Sequence, residues 1–250
     1  ENVSTERLKI FYDTYYWPNN ATVTVIGDFN TKDALASINK HFSEHSKSKE
    51  PIPPVYTDEP EQEGPRRITV KRTGQTGIVG IAHKTPKGLH EDTYSLQVLG
   101  KILADGKTSR LNKLIIDKGL ATSIFMYDFP FLDNGLFITY AFLTPGTDHK
   151  KIEDIIIKEY NNILQNGVAK EEIKRAQAQI RATVAFSRDG TYAVASALNE
   201  AIAIGDWTFY TKFMDNINKV SEEKIKEVIK KYFTEDQSTT GWFIAREPKN

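Results

Sequence analysis

The chain has 250 residues, 39% of them apolar and 26% charged, a globular mixture that excludes disorder and collagen-like order. Lys plus Arg and Asp plus Glu are 33 each, so there is neither net charge nor a basic stripe to neutralise phosphates, and nucleic-acid binding is not expected. The absence of cysteine excludes disulfide scaffolds, thiolate zinc sites and thiol nucleophiles, and the largely apolar stretch Leu136–Leu143, broken only by Thr139, is too short for a membrane-spanning helix.

Ser4 is a candidate N-cap, and Leu8, Phe11 and Tyr15 follow at helical spacing, which predicts a helix over 4–16. Pro18-Asn19-Asn20 ends it, and Ala21–Ile26 (ATVTVI) alternates as a strand does. Gly27-Asp28 leads into a second helix, about 31–42, with Leu35, Ile38 and Phe42 on one face. From Ser46 to Arg66, five of the ten prolines and Gly64 lie among Lys and Glu, the composition of a linker. Strands are predicted at 67–72 and 77–83, the second apolar at nearly every residue and so expected to be buried on both faces. Helices near 91–103 and 109–117 precede a hairpin of 123–129, the turn Asp133-Asn134-Gly135 and 136–143. Ile152, Ile155, Ile156, Tyr160, Ile163 and Leu164 define an amphipathic helix, and Ile173, Ala176, Ile180 and Val184 a second after Gly167. Helices at 191–204, 208–217 and 221–233 lead to a last strand at 239–245. The pattern predicts an α+β fold: a two-layer sandwich of a mostly antiparallel, mixed sheet covered by helices, with a helical C-terminal half.

One internal similarity bears on domain organisation. Ser4 and Ser221 stand 217 residues apart, and at the same offset Leu8 meets Ile225, Phe11 meets Val228 and Tyr15-Tyr16 meets Tyr232-Phe233. Both segments run on into an alternating strand. Either these are two unrelated amphipathic helix–strand units, or they are copies in a duplicated protein. On the second reading residues 1–45 are the trailing helix-strand-helix of an upstream homologous domain, 46–66 a linker and 67–250 one complete domain. A start at Glu1 rather than Met suggests a mature product or an excised piece.

His41-Phe42-Ser43-Glu44-His45 fits H-x-x-E-H, in which two His bind Zn²⁺ and the Glu is general base for the attacking water. Its context argues against a metal site. The predicted helix ends at once in Ser46-Lys47-Ser48-Lys49-Glu50-Pro51, whereas a catalytic zinc needs a shaped cavity and a third protein ligand. Gly106-Lys107-Thr108 suggests a phosphate loop, but the upstream Gly is one place out and a helix precedes it, so a turn and cap is the better reading. No G-x-S-x-G supports a serine nucleophile. Asp117 with Asp128, or Glu91 with Asp92, could be paired carboxylates, but acids this frequent are expected to be solvated surface. The aromatics of Phe125–Phe131 and Phe137–Phe142 are expected to pack in the core and on the sheet face, with a groove for an extended peptide as the alternative.

Several segments together resemble the pitrilysin/insulinase family of zinc metallopeptidases, which includes mitochondrial processing peptidases and the core subunits of the cytochrome bc1 complex. They are Phe11–Asp28, Arg67–Val70 before Gly77–Ala82, Ser109–Ala121 (SRLNKLIIDKGLA), Gly135–Gly146 (GLFITYAFLTPG) and Gly167–Arg181 (GVAKEEIKRAQAQIR). The resemblance implies that Phe11–Asp28 closes a zinc-bearing type of domain and that the rest is the second, non-catalytic domain of a half. The family's zinc motif lies upstream of Tyr16-Trp17-Pro18-Asn19. Its third ligand, a Glu, would fall near Ala121 and Thr122, neither of which binds zinc. An Arg and a Tyr that hold the substrate carbonyl in active relatives are replaced here by Ile115 and Thr122, which supply neither charge nor phenol. The resemblance thus implies no catalytic or metal-ligating residue and no cofactor in this chain, with zinc in the parent protein or a partner. The implied partners are an upstream catalytic domain or subunit of the same family and peptide substrates; a homodimer is a further reading. Two other readings stay open: a structural core or scaffold subunit, and an autonomous zinc peptidase using His41, Glu44 and His45.

Overall fold

The computed structural model describes residues 3–54 and 60–246. It divides into two compact units: the chain up to Pro60 with Gly190–Ala195, and Glu61–Asp189 with Ser196 onward.

In the first unit, α1 (Thr5–Tyr15) begins where the Ser4 side chain accepts a hydrogen bond from the Arg7 N–H at 3.3 Å, satisfying one of the amides orphaned at a helix start. A 3₁₀ turn at Pro18–Asn20 follows, and α2 (Thr31–Phe42) is capped by Asn30, whose side chain accepts from Lys32 and Asp33. Phe11 packs on Tyr15, and Tyr12 stacks on Tyr16 at 4.6 Å. No described residue of this unit is buried. The expected strand Ala21–Ile26 is not part of any ladder, which corrects the alternation argument: period-2 patterning makes a segment able to pair, but a strand also needs a neighbour.

The second unit is built on one five-stranded sheet: β1 (Arg66–Thr73), β2 (Ile78–Lys87), β3 (Ala121–Phe129), β4 (Asn134–Leu143) and β5 (Ser238–Arg246), in the order β1-β5-β2-β4-β3. β1 and β5 are parallel and all other pairs antiparallel. The β3–β4 hairpin turns back where β4 passes so close to β3 that a Cβ on Gly135 would lie 2.2 Å from the Phe129 carbonyl. α3 (Asp92–Ala104), α4 (His149–Asn166) and α8 (Glu222–Tyr232) lie against the sheet, while α5 (Lys170–Phe186) and α7 (Thr208–Ile217) pack on α3; α6 spans Thr191–Ile204. The two-layer, mixed, mostly antiparallel architecture read from the sequence is the observed one.

The core lies between the sheet and those helices. Val79, Ile81, Phe137, Ala141 and Leu143 face Leu96, Leu99, Ile102, Ile152, Ile156, Ile225 and Val228, all essentially inaccessible to solvent. β2 is not buried on both faces: its residues alternate between buried and half-buried, because helices cover only one side of the sheet. Arg110 ties three elements together. Its guanidinium donates to Glu159 at 2.9 Å, to both oxygens of Glu172 at 2.8 and 2.6 Å, and to the Gly167 carbonyl at 3.2 Å. That bidentate geometry holds the Glu172 carboxyl below its ordinary range. Gly167 itself ends α4 at φ 75°, where a Cβ would strike the Glu222 carboxylate at 2.0 Å. The last residues of the Pro-rich segment are docked: Gln62 is buried and donates to the Ser238 carbonyl at 2.7 Å.

Candidate functional site

The H-x-x-E-H segment straddles a helix end. His41 is in the last turn of α2, whereas Glu44 and His45 lie past it, so the four-residue spacing no longer aligns both imidazoles on one face. All three side chains are exposed, and His45 sits edge-on to Phe42. Among the described residues no group of three His, Cys, Asp or Glu side chains converges to hold a metal ion. His41, Glu44 and His45 do not fit a catalytic zinc, which needs three ligands in an enclosed cavity.

Gly106, at φ 79°, makes the turn that ends α3, and Lys101 pairs back to Asp105 beside it. The helix expected over 109–117 is instead a short α turn passing into a π turn, Asn112–Ile116, with the Asp117 N–H donating to the Asn112 carbonyl five residues back. The wider turn places Leu111 and Ile115 in the core together, neither with any exposure. Ile115 therefore points into packing, and the Thr122 hydroxyl on β3 donates to the Phe142 carbonyl at 3.2 Å.

The carboxylates divide. Glu91 and Asp117 are solvated, as expected of frequent acids. Asp92 and Asp128 are not, and this corrects the sequence expectation. Asp92, at the start of α3, is 7% exposed and accepts from the Tyr232 hydroxyl at 2.7 Å and the Lys231 ammonium at 2.9 Å. Burial opposes its ionisation, but these donors outweigh it and hold the carboxyl below its ordinary range. Asp128 has no such cation: it accepts from Gln97 Nε2 at 3.1 Å, and burial pushes its carboxyl up to about 7.

A cavity of about 550 Å³ opens at the β5 side of the core, lined by Arg67, His83, Glu153, Tyr160, Phe233 and Thr240 among others. His83 is 3% exposed, stacked on Phe233, and its Nδ1 has no hydrogen-bond partner; burial pushes its pKa down to about 4. Glu153 is neutralised by bidentate Arg67 at 2.9 and 2.6 Å and accepts from the Trp242 indole at 2.9 Å. Nothing local to HKT at 83–85 marks His83 as buried; period-2 alternation along β2 with Val79 and Ile81 was the available signal.

The side of the sheet away from the helices carries some of the unit's exposed aromatics, while Phe131, Phe186 and Trp207 are exposed elsewhere. Phe125 and Tyr127, 43% and 47% exposed, stack on one another along β3 and contact Phe142 and Tyr140 of β4. The expectation of core and sheet-face packing splits accordingly: Phe137 is core, whereas the alternate residues form an open aromatic face.

The family described as the peptidase M16 inactive domain matches residues 2–180. The chain belongs to that family. This peptidase M16 inactive domain is 26% identical over 243 residues to the zinc protease PqqE of Helicobacter pylori, covering 96% of the chain and 55% of that relative. It superposes on the crystal structure of a protease from Helicobacter pylori with a TM-score of 0.91 and 25% identity, over 97% of the chain and 60% of that one. The peptidase M16 inactive domain from Pseudomonas fluorescens has the same fold, with a TM-score of 0.82 and 16% identity, over 100% of this chain and 60% of that one. The chain thus spans little more than half the length of these relatives. The pitrilysin-type resemblance and the non-catalytic assignment drawn from Gly119-Leu120-Ala121 and its neighbours agree with this membership. Among the described residues no helix is long and apolar enough to cross a membrane.

Proposed function

We propose that this M16 inactive domain walls part of a peptide-enclosing chamber in a larger zinc protease, with zinc and catalysis on another domain or subunit of the same family. The observation that carries the proposal is the aromatic face of the sheet: exposed Phe125 and Tyr127 adjoin half-buried Tyr140 and Phe142 in a contiguous aromatic surface, with no helix of the same unit packed on that face among the described residues. Such a surface suits extended peptides of varied sequence, since rings offer contact area without demanding particular polar partners. The lack of a ligand set at His41, Glu44 and His45 agrees with a metal held elsewhere, and the residues at Ile115 and Thr122 agree with a role that does not stabilise an oxyanion. The uncovered apolar faces of α1 and α2 would pack on the catalytic partner, or on a second copy of the chain.

The test compares the isolated chain with the complete protein. The isolated chain is expected to carry no stoichiometric zinc and to hydrolyse no peptide. In the complete protein, Phe125→Glu with Tyr127→Lys is expected to cut peptide turnover at least tenfold while zinc content stays unchanged. Hydrolysis by the isolated chain, abolished in His41→Ala, would overturn the proposal. Unchanged turnover in the double variant would reassign the domain to a scaffold.

A further inference from the structure

Between α3 and the edge strand β3 lies a second cavity, of about 300 Å³. At about 30 Å³ per water, it has room for a side-chain-sized ligand rather than one solvent molecule. Its walls are mixed: Leu96 on α3, Ile124 and Met126 on β3 and Phe137 on β4 form an apolar part beside Gln97, Tyr127 and the Lys101–Asp105 pair, and its one isolated charge is Asp128. That carboxylate, half-buried, accepts a single hydrogen bond among the described residues, from the neutral Gln97 amide. The cation lining the same cavity, Lys101, pairs with Asp105, its neighbour four residues on. No other charged side chain lines the cavity among the described residues.

Buried carboxylates are ordinarily neutralised by a cation or several donors, because desolvating an unpaired charge costs several kcal/mol. Asp92, at the opposite end of α3, is neutralised in this way by Lys231. Asp128 lacks the equivalent partner and faces open space instead.

We propose that the cavity between α3 and β3 is a binding pocket for an alkylammonium or guanidinium group, with the Asp128 carboxylate as counter-charge, Gln97 as its positioning donor and the apolar part of the wall accommodating the methylene stem. The proposal goes beyond the chamber reading and does not depend on it. The cation completes a charge pair that the chain leaves incomplete, and Phe137 adds an aromatic surface behind the stem. Binding requires the ionised carboxylate. Since burial places that carboxyl's titration near about 7, the pocket fills above neutral pH and empties as Asp128 takes up its proton. Of the lining groups, α3 brings Lys101 and Asp105 as the other charges, and β4 brings none.

The experiment follows the Asp128 carboxyl carbon by NMR in the full chain while n-butylammonium, n-propylguanidinium or neutral n-butanol is added. Both cations are expected to give a saturable shift and to lower the Asp128 midpoint, whereas butanol leaves the midpoint in place. Affinity for n-butylammonium should fall about tenfold per pH unit below that midpoint, as the ionised fraction does. Asp128→Asn should lose at least tenfold in affinity, and Lys101→Ala should gain or keep it. A short acetylated peptide with one Lys, set against its norleucine counterpart, separates the two sources of the group. Preference for the Lys peptide over free n-butylammonium means a basic side chain, and the reverse means a small free amine. Equal shifts from butanol and butylammonium, or full affinity in Asp128→Asn, would overturn the pocket. If Asp128→Asn fails to fold, the pH dependence in the unaltered chain decides: affinity flat across the Asp128 midpoint overturns it.

Discussion

α1 and α8 are the same helix twice in local terms. Each runs for eleven residues, Thr5–Tyr15 and Glu222–Tyr232, and each is capped by a serine, Ser4 or Ser221, that accepts from the amide three residues on. Their environments are opposite. Ile225 and Val228 have no exposure, whereas Leu8 and Phe11 at the matching positions are 59% and 54% exposed. The segment after α8 is β5, paired on both sides by β1 and β2, while Ala21–Ile26 at the matching offset belongs to no ladder. Capping and periodicity therefore specify a helix and the face it would bury, but not whether anything covers that face. Stability in this molecule should follow coverage rather than pattern.

Four experiments would break or sharpen that contrast. The largest effect is expected at Arg110. Arg110→Ala leaves Glu159 and Glu172 as uncompensated buried charges and should cost about 3–5 kcal/mol in denaturant unfolding, whereas Lys9→Ala, at an exposed pair with Asp13, should cost under about 0.5 kcal/mol. Next, Ile225→Ala should cost about 2–5 kcal/mol and Leu8→Ala less than about 0.5 kcal/mol. Equal costs would mean that the face of α1 is covered in solution.

The third is pH. His83 is a base whose folded pKa, about 4, lies below its unfolded value. Its contribution to stability is therefore present above the unfolded value and is lost as pH falls toward about 4, as the unfolded state takes up the proton first. Asp128 has the opposite sign: its folded pKa of about 7 lies above the unfolded one, so stability is lost as pH rises through about 7. The two windows overlap between about 4 and 7 with opposite signs, so the unaltered chain should show a nearly flat denaturation profile there, His83→Gln should lose stability as pH rises through that window, and Asp128→Asn should lose it as pH falls. The smallest effect is at the caps. Ser221→Ala should lower global stability by about 1 kcal/mol. Ser4→Ala should alter only local amide exchange in α1.

Most of the elements were legible in the sequence, because they rest on short-range signals. The Ser4 cap, the helix boundary at Gly167 and the Asp133-Asn134-Gly135 turn lie within a few residues of what they organise. The misreadings share a cause. Whether ATVTVI becomes a strand depends on a neighbour distant in sequence, and whether β2 is buried on one face or both depends on where the helices cross. The π turn at Asn112–Ile116 had no local signal, because the spacing of Leu111 and Ile115, both buried, fits an ordinary α-helix equally well. Asp92 and Asp128 read identically as surface acids. One meets Lys231 and Tyr232 from a helix some 140 residues away, and the other meets only Gln97.

By itself, the sequence determined the α+β class, the order of most elements and the family resemblance, which implies that Ile115 and Thr122 stand where active relatives carry an Arg and a Tyr. These are properties of residue types, periods and spacings along one chain. The tertiary structure alone decided which apolar faces are covered, that His41 and His45 part company at a helix end, that His83 is withdrawn from water with Nδ1 unpartnered among the described residues, and that half-buried Asp128 meets Gln97 rather than a cation. Burial and charge pairing are set by segments far apart in sequence, and desolvation, unlike helix propensity, has no local signature.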